Sequence, residues 1–325
     1  MEAALQTLDI VIPIYNEEAV IASLCARLAS VFTEEARAGA GLSRVRFLLI
    51  DDGSTDRSAA MIAERIQAGF PAMLLRLSRN FGHQNAVSAG IDHASADLVA
   101  IMDADLQDPP ELIWQMLQKV REGNEVAYAQ RRDRKEGPVR RLGYWAFYRI
   151  LSLMSDIDIP LDSGDFCLMT RRVVDALARL PERIRVPRVL RAWVGFRQAG
   201  VEYSRPERAA GETKYTLRKL YRLATDGMAS ASTRPLQFAQ FLTFFFTILS
   251  CLCLMWIVVG SGFFRPEGFT LPILVLLFVL CTGFAVQTFC LYVLGAYLGR
   301  AYLEVKGRPP YVIMEVIGGS APPAK

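Results

Sequence analysis

Histidine is nearly absent from this chain, with 2 residues in 325. No cysteine or histidine cluster has zinc-ligand spacing, which excludes a structural zinc module. The 6 cysteines do not suggest a disulfide framework either. Cys251, Cys253, Cys281 and Cys290 fall within apolar runs, where they read as small packing residues. A strong charge of one sign is also missing. The formal net charge is only +4, so nucleic acid is not an expected partner. The opening "MEAALQTLDIVIPIYNEE" has no basic segment of the secretory kind. Internal repeats and low-complexity segments are absent too. Most telling is where charge disappears altogether. No Asp, Glu, Lys or Arg occurs between Pro235 and Phe264, or between Phe269 and Gly299.

Each uncharged run exceeds the roughly 20 residues that a helix needs to cross a bilayer. Arg265, Pro266, Glu267 and Gly268 separate the two, so residues 235–300 are expected to form a transmembrane hairpin. A buried pair of soluble helices would be expected to keep some polar face. Arg218, Lys219, Arg222 and Arg234 precede the first run, and Arg300, Lys306 and Arg308 follow the second. Positive flanks favour the cytoplasm. The expected order is therefore a cytoplasmic domain over residues 1–212, a juxtamembrane amphipathic helix over 213–234, two spans, and a cytoplasmic tail over 301–325. A basic amphipathic stretch at 137–154 is either a surface helix or an interfacial one. The tail "RPPYVIMEVIGG" has strand-like content and adds either to the domain's own sheet or to that of a neighbouring copy.

Before residue 131, short apolar runs alternate with helical spacing. Strands are expected at 8–14, 44–50, 72–77, 97–102 and 125–130. Helices are expected at 17–32, 58–68, 84–94 and 110–121. This alternation predicts an α/β domain with a mostly parallel sheet and helices on both faces. In such sheets ligands bind beyond the carboxyl ends of the strands.

Acidic residues collect at those ends. "VAIMDADLQDPPELI" (99–113) places Asp103, Asp105 and Asp108 directly after a strand. Two carboxylates so spaced can face one hard divalent cation, Mg2+ or Mn2+, which in turn bridges to a diphosphate. Capping of the following helix is the plainer use for Asp108. "IVIPIYNEE" (10–18) and "LLIDDGSTDRS" (48–58) end two further strands with Glu17, Asp51, Asp52 and Asp56. A strand-end carboxylate can hold a ribose or base. Ser54 and Asp56 equally suit a turn and a helix cap.

Taken together, "PIYNEE", "DDGSTD", "RNFGHQNAVSAG" (79–90), "DADLQDPPE" (103–111), "DSGDFCLMTRR" (162–172) and "RAAGETKY" (208–215) resemble glycosyltransferase family 2, in order and over nearly the whole chain. The likeness is greatest to its polyprenyl-phosphate branch, which includes bactoprenol glucosyltransferases and dolichol-phosphate mannose synthases. The resemblance implies the GT-A nucleotide-diphospho-sugar transferase fold followed by a C-terminal transmembrane hairpin. It implies that Pro13, Tyr15, Glu17 and Asp52 hold the nucleoside of the donor, with Asp103 near the ribose and metal. Asp103, Asp105 and Gln107 would be the metal ligands. Arg208 and Lys214 would close over the phosphates, and Asp165 would be the catalytic base or a group that orients the acceptor. Arg131 and Arg134 match acceptor-phosphate arginines, or belong to a solvated charge run.

The implied activity is inverting transfer of a hexose, glucose from UDP-glucose being the first expectation, to undecaprenyl phosphate at the cytoplasmic face of the inner membrane. N-acetylglucosamine, mannose and 4-amino-arabinose donors are the alternatives. A lipid monophosphate has a second pKa near ~6, so it is already largely dianionic at neutral pH and needs little general-base help. A processive polysaccharide synthase would carry Gln-X-X-Arg-Trp, and "RVLRAWVGF" (188–196) lacks that spacing. A membrane protein that senses nucleotide sugars without turnover is the rival from another class. Partners expected besides the donor and lipid are the membrane itself and a second copy of the chain.

Overall fold

The computed structural model describes residues 5–131, 163–182, 185–203, 270–319 and scattered positions between 239 and 255. Arg134, Arg208, Lys214, the 137–154 stretch, the 213–234 segment and most of the first expected span lie outside the described residues. The described chain falls into two compact units, one holding the sheet with its helices and the other holding the long apolar helix.

The sheet unit begins with β1 (Gln6–Ile14), α1 (Glu18–Val31), α2 (Glu34–Gly39), β2 (Leu42–Asp51) and α3 (Ser58–Gln67). It continues with β3 (Ala72–Leu77), α4 (His83–His93), β4 (Leu98–Ile101), α5 (Leu112–Arg121) and β5 (Val126–Arg131). Then come β6 (Ser163–Thr170), α6 (Arg171–Ala178), α7 (Pro187–Trp193), β7 (Gln198–Tyr203) and, near the chain's end, β8 (Ile313–Ile317). The strands form one sheet in the order β7-β5-β6-β4-β1-β2-β3-β8. Pairing is parallel from β4 through β1 and β2 to β3, and between β5 and β7. Only β6 and β8 run the other way. The α/β class and the mostly parallel sheet are as expected.

The central strands are apolar on both faces because both are covered, as in parallel sheets generally. Ile10 and Ile12 of β1 face Leu24 and Leu28 of α1, Ile62 of α3 and Met116 of α5 in one buried layer. Val11 faces the other way, with Val99 and Ile101 of β4, Val87 and Ala89 of α4 and Val173 of α6. Helix α4 sits unusually close to the sheet. A Cβ on Gly90 would stand 2.1 Å from Val11 Cγ1, so only glycine fits there.

Several elements were not expected. Helix α2 is a short piece started by Thr33, whose hydroxyl accepts from Ala36 N. Strands β6 and β7 form in sequence that carries no clear alternation. The helix expected from Pro110 begins at Leu112, and its N-cap has no side-chain hydrogen bond. Of the two places open to the tail, the structure shows the first. β8 pairs antiparallel with β3, aided by Arg76–Glu315 at 2.8 Å and by Tyr311 Oη donating to Asp92 at 3.0 Å.

In the other unit, α8 (Thr270–Lys306) is a single 37-residue helix. Its stretch Val275–Lys306 is long and apolar enough to cross a membrane, and large side chains such as Phe278, Phe284 and Leu298 stand exposed.

Candidate active site

The loops after β1 and β2 lock together. Asn16 N donates to Ser54 Oγ at 3.0 Å, and Thr55 N donates to Asn16 Oδ1 at 2.8 Å. Glu17 N donates to Ser58 Oγ, and Glu18 N to Asp56 Oδ2. Ser54 and Asp56 therefore brace two motifs against each other, as turn and cap residues do. Gly53 is required in this turn, at φ +69° and with a Cβ position only 2.4 Å from the Arg79 backbone. The bracing leaves the Tyr15 ring exposed just past the end of β1, while Pro13 is buried one residue before that end.

Asp52 has a structural duty alongside the nucleoside role the resemblance implies. Its two oxygens accept from Phe81 N at 2.7 Å and Gly82 N at 2.9 Å. Gly82 is the cap residue of α4 and Phe81 precedes it, so Asp52 holds the loop that leads into that helix. Burial pushes its pKa up, against the lowering effect of the two amides.

Two carboxylates meet beside that helix start. Asp103 lies two residues beyond Ile101 of β4, and Asp165 two residues before Cys167 of β6. Ile101 and Cys167 are register partners in antiparallel strands, so the two aspartates arrive side by side. His83, the first residue of α4, stands between them. Its Nε2 is 3.4 Å from Asp165 Oδ2 and 3.9 Å from Asp103 Oδ1. Next to it, Gln84 Nε2 donates to Asp165 Oδ2 at 3.1 Å. Further along, Asp105 Oδ1 accepts from Gln107 N at 3.1 Å across Leu106, which takes a left-handed backbone at φ 57°. This closed turn sets the Asp105 and Gln107 positions. Asp108 is buried and accepts from Tyr203 Oη at 3.0 Å, so it ties the loop to β7 and does not cap α5.

The electrostatics follow from this crowding. Burial opposes charge on His83, but the Asp165 hydrogen bond and the charges of Asp103, Asp165 and Asp52 outweigh it and bring its pKa to about 8. His83 is thus a cation at neutral pH. Burial and the like charges of Asp108, Asp165 and Asp105 raise Asp103 to about 6, although His83 pulls the other way. Burial would raise Asp165 as well. His83, the Arg188 guanidinium of α7 and Gln84 reverse that and hold it far below the usual carboxylate range. Asp165 is thus held toward its carboxylate form, with Gln84 and His83 both on its Oδ2 side.

Among the described residues, no group of three or more His, Cys, Asp and Glu side chains forms a ready-made metal cage. The oxygen donors Asp103, Asp105 and Gln107 nonetheless suit a hard cation of the Mg2+ or Mn2+ kind, which commonly takes one or two carboxylates and completes its shell with water and substrate phosphate. Arg131 closes β5, and the other expected phosphate-binding residues, Arg134, Arg208 and Lys214, lie outside the described residues. His83, Gln84 and Arg188 were given no role in the sequence reading. The only signal for the first two was their place inside "RNFGHQ".

A mostly parallel α/β sheet with carboxylates gathered at its strand ends, and a histidine at a helix start beside them, presents a charged site where such sheets bind ligands. The chain belongs to glycosyl transferase family 2, whose profile matches residues 9–178. It is 41% identical over 312 residues to the uncharacterized glycosyltransferase YkcC of Bacillus subtilis, covering 95% of this chain and 94% of that one. It is 39% identical to the uncharacterized glycosyltransferase sll0501 of Synechocystis, covering 96% of each. It is 35% identical over 309 residues to the SfII prophage-derived bactoprenol glucosyl transferase of Shigella flexneri, covering 94% of this chain and 97% of the relative. The protein is accordingly a glycosyltransferase.

Proposed function

We propose that the enzyme transfers a hexose, glucose from UDP-glucose in the first instance, to a polyprenyl phosphate such as undecaprenyl phosphate, releasing UDP. The observation that carries this is the meeting of Asp103, Asp165 and His83 at the strand ends, in a chain that also has an apolar helix long enough to hold it at a bilayer. Full-length similarity to a relative named for bactoprenol supports the acceptor.

In this reading Tyr15, Glu17 and Asp103 lie along the nucleoside and ribose, with Pro13 and Asp52 shaping the pocket. Asp103, Asp105 and Gln107 would hold a divalent cation, which when bound offsets the charge of the departing diphosphate. Arg208 and Lys214 would fold over the donor phosphates, and Arg131 and Arg134 would take the acceptor phosphate. An oxygen of that phosphate attacks the anomeric carbon as the bond from that carbon to the diphosphate oxygen breaks. A single displacement of this kind inverts configuration. The dianionic phosphate has no proton to lose, so Asp165 is not required as a general base. His83 keeps Asp165 ionised and places positive charge where two anions must approach.

The hairpin over residues 235–300 would anchor the enzyme. The flanking arginines and lysines favour a cytoplasmic sheet unit and tail. Purified full-length protein, undecaprenyl phosphate, Mg2+ or Mn2+ and a panel of nucleotide sugars test the proposal directly. Lipid-linked sugar from one donor, lost on Asp105→Ala, is the expected result. No product from any donor would refute transfer, and product unchanged in Asp105→Ala would refute the site.

A further inference from the structure

Gln84 and Asp165 carry two buried oxygens for which the described residues provide no donor. Gln84 Nε2 donates to Asp165 Oδ2 at 3.1 Å. Only the NH2 end of an amide can serve a carboxylate, so this bond fixes the orientation of the Gln84 side chain. Gln84 Oε1 is buried and finds no hydrogen-bond partner among the described residues. Asp165 Oδ1 is buried in the same condition. Folded proteins leave few buried acceptors unpaired, and two on directly bonded side chains at a strand-end site call for a ligand that donates hydrogen bonds.

Chemistry narrows the ligand. A phosphate offers acceptor oxygens and would meet the negative charge of Asp103, Asp105 and Asp165. A divalent cation would already have Asp103, Asp105 and Gln107 to hold it, and the positive charge of His83 already stands 3.4 Å from Asp165 Oδ2. Sugar hydroxyls are neutral, donate hydrogen bonds and come in adjacent pairs. We infer that Gln84 Oε1 and Asp165 Oδ1 form a paired acceptor for two hydroxyl groups of the donor sugar, and that Gln84 helps decide which sugar is taken. The inference rests on the nucleotide-sugar reading proposed above. It adds a specificity residue that lies outside the aspartate motifs, at the second position of α4.

The test is a binding cycle on the full-length protein. Calorimetry compares UDP, the donor selected by the transfer screen and its single-deoxy analogues, for the wild type and Gln84→Met. Methionine keeps the length of the side chain and removes its acceptor. The variant is expected to bind the parent donor roughly ten-fold more weakly and to bind UDP as before. One deoxy analogue should already be weakened in the wild type and lose nothing further in the variant, because the same hydrogen bond has been removed from either side. Additive losses for every analogue would overturn the inference, as would equal weakening of UDP and the parent donor. Should the variant fail to fold, the wild type alone still decides. Deoxy analogues that all bind as tightly as the parent refute the pair. If no donor supports transfer to lipid, the nucleotide-sugar reading falls and this inference with it. Transfer together with an additive cycle removes only the inference.

Discussion

Replacing Asp165 with asparagine should be read first at His83 and only then in turnover. The ordinary histidine pKa of 6.5 is brought to about 8 at this site against the opposing effect of burial. Asp165 contributes both a hydrogen bond and a charge, with Nε2 to Oδ2 at 3.4 Å, whereas Asp103 and Asp52 contribute charge alone. Asp165→Asn removes the charge and leaves burial in place, so His83 should titrate roughly one pH unit lower. The chain has only 2 histidines, and the other, His93, is bonded through Nδ1 to Ala89 O at 2.7 Å. Isotope-labelled histidine in detergent-solubilised protein therefore gives two signals, one of them an internal reference. The sign for stability follows from linkage. A group whose pKa is raised on folding stabilises the fold fully below 6.5 and loses that contribution as pH rises through about 8. Asp165→Asn should flatten this part of the pH–melting curve. A wild-type His83 that titrates at or below 6.5, or one indifferent to the substitution, would refute the account of the site.

Three further outcomes are expected. Asp103 titrates at about 6, so Mn2+ binding in the presence of UDP should weaken as pH falls from 7 to 5 through proton competition, and Asp103→Asn should abolish that dependence. Free Mn2+ measured by electron paramagnetic resonance checks both. Gly90→Ala puts a methyl group 2.1 Å from Val11 Cγ1 and should cost about 1–3 kcal/mol in thermal or denaturant melts, with Val11→Ala recovering part of the loss. Transfer should fall as well, because α4 carries His83 and Gln84. Ending the chain at Gly307 removes the partner of β3 and should lower the melting temperature or cause aggregation, while Glu315→Ala alone, losing one partly exposed ion pair, should cost at most about 1 kcal/mol. A truncated protein that melts like the full chain would contradict the role given to β8.

The first five strands and four of the helices between them were legible because each strand is a short, largely apolar run next to a turn or a stretch of helical spacing. Strand β6 was not. "SGDFCLMT" mixes a glycine and a charge into an apolar stretch, and nothing local states that it reverses direction between β4 and β5. The site was half legible for the same reason. Asp103, Asp105 and Asp165 stand in recognisable motifs. His83 and Gln84 became partners of Asp165 only through the antiparallel insertion of β6, across a separation of 81 residues from Gln84. The nucleoside role of Asp52 came from resemblance. Its grip on the amides of Phe81 and Gly82 needed the loop after β3 to be seen in place.

The eighth strand imposes an order on biogenesis. The outer edge of β3 is translated early, and the strand that covers it is made only after the whole of α8. At about 5–20 residues per second, that edge waits tens of seconds for its neighbour. A nascent domain in this condition is a natural client for holding factors, because the sheet is closed only after the whole apolar helix has been made.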